Sequence, residues 1–110
     1  MASKRELVAN PLPARLRQLR ELRGLSQREL GIKAGIDPSA ASPRVNQYER
    51  GRHAPNFMVA AKLAEALGAP AAYLYAQDDE LAALILEFTP STDRGTAGGR
   101  KRAGSRLRSA

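Results

Sequence analysis

The chain of 110 residues contains no cysteine, no tryptophan, one histidine and two phenylalanines. Without thiols there is neither a disulfide framework nor a thiolate metal site, and a lone imidazole cannot assemble a zinc centre. Neither a metal nor a cofactor is expected. No stretch approaches the roughly 18 apolar residues of a spanning helix, and the opening MASKRELVANP is charged where a secretory signal would be apolar. No membrane partner is expected, and the absence of cysteine suits a reducing, cytoplasmic setting. A glycine-rich phosphate loop and a clustered pair of acids are also missing, so the chain does not read as an enzyme. Its length suits one small core with tails.

Basic charge is present in excess and unevenly placed. The net charge is +7. Residues 1–52 hold 11 basic and 5 acidic side chains, a net of +6; residues 53–88 hold 1 and 5, a net of −4; residues 89–110 hold 6 and 1, a net of +5. Such segregation suggests a half that faces a polyanion joined to an acidic half.

The hydrophobic pattern is helical throughout. Leu12, Leu16, Leu19 and Leu22 recur every three or four residues and predict a first helix that ends at Gly24, with Arg15, Arg17, Arg20 and Arg23 mostly off the stripe. In GLSQREL, Ser26 and Glu29 have the spacing of a capping box, predicting a second helix over about residues 27–34. A third helix ends at Gly51 with Val45 and Tyr48 inward. Asn56 is a natural cap for a fourth, carrying Phe57, Ala60, Leu63, Ala64 and Leu67 to a stop at Gly68. Pro70 opens a short helical turn at its first position. Asp78 or Asp79 starts a last helix with Leu81, Leu84, Ile85 and Phe88 on a stripe. This makes an all-α protein of five or six helices. Expected organisation is a flexible segment at 1–10, a helical domain at 11–76, a C-terminal helix at 77–88 and a basic tail at 89–110 too poor in apolar residues to fold.

The start of the third helix has two solutions. If Ser42 is the cap, Pro43 is the first helical residue and loses nothing. If Asp37 is the cap, Pro43 falls inside the helix and costs about 3 kcal/mol. The sequence favours Ser42, with residues 37–41 as an extended turn. On either reading Arg44 and Gln47 share an outward face opposite Val45 and Tyr48, with Asn46 beside them. Arginine suits guanine edges, and asparagine or glutamine suits adenine.

Two short helices joined at a glycine, the second with polar residues outward, form the arrangement that lays a helix in the DNA major groove. The chain resembles the Xre family of phage-repressor-like helix-turn-helix regulators. The resemblance rests on Leu19-Arg20, Gly24-Leu25-Ser26-Gln27-Arg28-Glu29-Leu30-Gly31, Ala34-Gly35-Ile36, Tyr48-Glu49-Arg50-Gly51, Pro55 and Leu63-Ala64-Glu65-Ala66-Leu67-Gly68, over about residues 12–76. It departs from the family pattern in Gly31, where alanine is usual, and in the longer segment from Asp37 to Glu49.

The resemblance implies a regulator, a repressor by preference, that binds double-stranded DNA in the bacterial or phage cytoplasm and is nucleoid-associated when bound. It implies base-facing Ser42, Pro43 and Gln47, with Arg44 at base or phosphate and Asn46 alongside. Ser26 and Gln27 at the second helix start would meet phosphate, Gln27 also bracing the start of the recognition helix. Arg50, Arg52 and His53 would touch the flanking backbone, though His53 is equally suited to a plain surface role. Arg20 and Glu49 would pair as a structural bridge. The stripe Leu81, Leu84, Ile85 and Phe88 has two readings, closure of the core or the face of a homodimer that reads two half-sites. The basic tail either attracts phosphate or keeps the chain soluble. The rival function is an antitoxin-like or bridging module whose main role is to bind a protein partner.

Overall fold

In a computed structural model of the protein, residues 10–88 are described. The expected basic tail and most of the expected N-terminal segment lie outside them. Six helices follow in order: α1 (Leu12–Leu22), α2 (Gln27–Lys33), α3 (Pro38–Glu49), α4 (Phe57–Ala66), α5 (Ala71–Tyr75) and α6 (Asp79–Phe88). There is no strand among the described residues.

Helix α1 starts where the Asn10 side chain accepts the Leu12 N–H at 3.0 Å. Leu12, Leu16 and Leu19 are buried as their spacing demands, but Leu22 is 68% exposed. At 100° per residue Leu22 lies about 90° from the centre of that stripe. Arg23 occupies the stripe's end instead, its Nε donating to the Leu67 carbonyl at 2.8 Å. Arg15 is buried too. Its Nε donates to the Ala76 carbonyl at 3.0 Å and its Nη1 meets Asp79 at 2.8 Å, above the Tyr73 ring.

The core gathers Leu12, Leu16, Leu19, Leu30, Val45, Leu63, Leu67 and Leu74, each almost fully buried. Side chains of this size contribute about 1.5–3 kcal/mol apiece when removed from water. In α4, Ala60, Leu63 and Ala64 are buried, while Phe57, expected on that face, is exposed at the helix start. Pro70 is the cap of α5 and not its first helical residue. The Asp78 side chain accepts the Glu80 N–H, so α6 begins at Asp79. Only Ala82 of α6 is fully buried, with Ile85 and Leu86 packed partly against the core. Leu81, Leu84 and Phe88 are exposed.

The favoured start of the third helix is corrected. Helix α3 begins after Asp37, and Pro43 lies inside it. Three features outweigh the proline. The Asp37 side chain accepts the Ser39 N–H at 3.0 Å and the Ser39 hydroxyl as well. Pro38 takes the position where a missing N–H costs nothing. Ala41, which the extended-turn reading left outside any helix, is fully buried against Gly31 of α2. Proline's local cost is real, but it is one interaction set against a packed turn.

A candidate nucleic-acid interface

Capping sets the start of α2. The Ser26 hydroxyl accepts the Glu29 N–H at 2.9 Å, and the Glu29 carboxylate accepts the Ser26 N–H at 2.8 Å. The turn to α3 runs through Gly35, whose φ of 92° lies where residues with a Cβ are strained. Gly51, at φ 73°, ends α3 in the same conformation, its N–H reaching the Tyr48 carbonyl at 3.2 Å.

With Ala41, Val45 and Tyr48 buried, helical geometry places Ser39, Pro43, Asn46, Gln47 and Arg50 on the opposite side, while Arg44 lies about 70° from the centre of the buried stripe, exposed at its edge. Pro43, Arg44 and Arg50 are exposed; Ser42, Asn46 and Gln47 are half-buried. Arg52 and His53 lie exposed just beyond, where both backbone N–H groups turn back to the Gln47 carbonyl, at 2.9 and 3.4 Å. The earlier helix start adds Ser39 to this face, one turn before Pro43. Reading Pro43 as a first helical residue hid it.

One ion pair holds α3 against α1. Arg20 Nε and Nη2 donate to the two Glu49 carboxylate oxygens at 2.6 and 3.0 Å, and Nη1 donates to the Leu25 carbonyl at 2.9 Å. The Glu49 side chain is 4% exposed. Its hydrogen bond to Arg20 raises the guanidinium pKa above its ordinary value, against the opposing effect of burial. Gln27 joins the pair. Its Nε2 donates to Glu49 at 3.1 Å and to Asn46 at 3.2 Å, so it braces the second half of α3 and not its start.

The basic residues differ in their partners, and Lys33 at the end of α2 and Lys62 on α4 have none among the described residues. Arg15, Arg17, Arg20 and Arg23 all donate to acceptors within the chain. Arg28, Arg44, Arg50, Arg52 and His53 have no side-chain partner among the described residues. Four of these five flank the outward side of α3. The fifth, Arg28, is exposed in the first turn of α2 and was missed in the sequence; its signal was a basic residue directly after a capped helix start. Among the described residues no cluster of histidine and acidic side chains could hold a metal ion, and no helix is long and apolar enough to cross a membrane.

The crystal structure of the transcriptional regulator BswR is similar, with 48% sequence identity and a TM-score of 0.68, over 74% of this chain and 80% of that one. No match was found among curated proteins. A model of the helix-turn-helix domain family matches residues 12–77, from the start of α1 through α5, and the chain belongs to that family.

Proposed function

We propose that the protein is a sequence-specific regulator of transcription of the Xre type, which lays α3 in the major groove of double-stranded DNA and represses by occupying a promoter. The observation that carries this reading is the placing of charge: the arginines of α1 all donate within the chain, while Arg44 and Arg50 on α3 and Arg52 and His53 just beyond it have no side-chain partner among the described residues. Pro43, Arg44, Asn46 and Gln47 meet base edges, with Ser42 beside them. Ser26 and the first N–H groups of α2 hold a phosphate. Both side-chain N–H groups of Gln27 are committed to Asn46 and Glu49, so its part in phosphate binding falls to its backbone. Arg50, Arg52 and His53 hold the flanking backbone.

A second copy completes the assembly. The exposed Leu81, Leu84 and Phe88, with half-buried Ile85, give α6 an apolar outer face beside Pro70. One short recognition helix reads few base pairs, and pairing two supplies the remaining specificity. That apolar face also supports the second reading, a module that docks on a different protein. Selection from random duplex DNA tests both. Binding should yield one motif and weaken steeply with salt. Arg44→Ala and Gln47→Ala should relax preference at particular base pairs, each by about 1–3 kcal/mol. Arg52→Ala should weaken all sequences alike. No enriched motif, with binding that ignores salt, would favour the protein-docking module.

A further inference from the structure

The Arg20–Glu49 pair dictates the polarity of a hydrogen-bond chain that ends on the outward half of α3. The Glu49 carboxylate only accepts, and Arg20 already donates to both of its oxygens. Gln27 lies 3.1 Å from one of them and so must present its Nε2 there. The same nitrogen donates to Asn46 Oδ1 at 3.2 Å. An amide that faces a donor must present its oxygen, so the direction of Asn46 is set in turn. Its Nδ2 is the end left for a ligand, on a residue that is half-buried and adjacent to Gln47.

Resting on the reading of α3 as the base-contacting helix, we propose that Asn46 is a specificity-determining residue that donates to guanine O6 and N7, and that Gln27 is the positioning residue that sets its direction. A freely turning asparagine pairs best with adenine, donating to N7 while accepting from the N6 amino group. That contact needs the amide oxygen and nitrogen side by side at the base edge. Here the oxygen is held on α2 and the two N–H groups remain. Guanine offers two neighbouring acceptors and no donor in the major groove; adenine would oppose one of those N–H groups with its own.

The test compares sites selected by the full chain with those selected by Asn46→Ala and Gln27→Met, thermal melts showing that both variants are folded. The base pair at which Asn46→Ala loses discrimination should carry guanine in the wild-type site, with a preference of about five- to tenfold. Gln27→Met frees Asn46 to turn, and should move that one position toward adenine while the others hold. Replacing the guanine by 7-deazaguanine should weaken the wild-type protein several-fold and leave Asn46→Ala unaffected, a readout that needs no Gln27 variant. Adenine at that pair in the wild-type site, identical preferences for wild type and Asn46→Ala, or indifference to 7-deazaguanine would overturn the role of Asn46. An unchanged preference in Gln27→Met would overturn the role of Gln27. If the wild-type chain selects no sequence at all, the reading of α3 itself fails, a result distinct from a selected site indifferent to Asn46.

Discussion

Gly31 and Ala41 touch so closely that a Cβ placed on Gly31 would stand 2.6 Å from the Ala41 Cβ, 3.0 Å from its Cα and 3.1 Å from its carbonyl oxygen. Two of those three atoms are backbone, so no side-chain rotation relieves the clash. Gly31→Ala should therefore destabilise the fold, although alanine is the better helix former by about 1 kcal/mol. Overpacking of this kind costs about 1–3 kcal/mol. Denaturant melts check it: the double variant Gly31→Ala/Ala41→Gly should recover much of the loss, and a Gly31→Ala protein as stable as wild type would show that α2 and α3 part freely.

The same contact bears on where α3 begins. With Asp37 as cap, Pro43→Ala restores an N–H for the Ser39 carbonyl and removes the ring's clash with that turn, so it should stabilise by about 1–3 kcal/mol. Ser42→Ala should be nearly silent, and Asp37→Ala should destabilise by loss of the cap. A silent Asp37→Ala together with a damaging Ser42→Ala would restore the later start.

Asp37 also carries a pH signature. Its carboxyl is held below its ordinary value of 3.8, first by the Ser39 hydroxyl and then by the Ser39 N–H. A lowered folded pKa means the contribution is complete above the unfolded value and is lost as pH falls through the folded one. Acid titration of stability should thus show a component below about pH 4 that Asp37→Asn, which keeps an accepting oxygen but not the charge, removes. Identical acid profiles for the two proteins would refute it.

Features that depend on neighbours in the chain were legible in the sequence. The leucines of α1 at positions 12, 16 and 19, the Ser26–Glu29 capping box and the Asn56 cap all follow from spacing of three or four residues. What escaped depends on distant partners. The start of α3 turns on Ala41 meeting Gly31, and the burial of Arg15 turns on acceptors 61 and 64 residues away. A local rule weighed Pro43 alone and could not see the contact of Ala41 with Gly31. Arg20 and Glu49, 29 residues apart, came from family resemblance alone, since no spacing rule joins them. On the candidate interface, Gln27 illustrates the limit: its type and place were readable, but not the direction in which its amide donates.

Arg15 ties α1 to the joint between α5 and α6, and its two acceptors differ sharply. Ala76 is buried, while the Asp79 side chain is 97% exposed. Removing the guanidinium leaves the Ala76 carbonyl without its donor, so Arg15→Ala should cost about 1–3 kcal/mol in addition to lost packing. Asp79→Ala breaks only a solvent-screened pair and should cost less than about 1 kcal/mol. Equal losses in the two variants would mean that the ion pair, and not the carbonyl contact, holds the joint.

The α6 face yields the last prediction. Leu84 and Phe88 are 58% and 84% exposed, so replacing either with glutamate leaves the core of one chain intact. If two copies meet there, each substitution places a charge in an apolar contact and should shift the mass in solution from dimer to monomer, with the melting profile of the single domain preserved. Ala82→Glu, by contrast, should unfold α6 from the core, because Ala82 is 2% exposed. DNA binding follows the same logic: sites selected by the wild-type dimer should be inverted repeats with centres about 10 base pairs apart, or a multiple of that. Phe88→Glu should still recognise a half-site, but more weakly. A wild-type chain that is monomeric both free and on a non-palindromic site would exclude the dimer and leave the α6 face to a different protein.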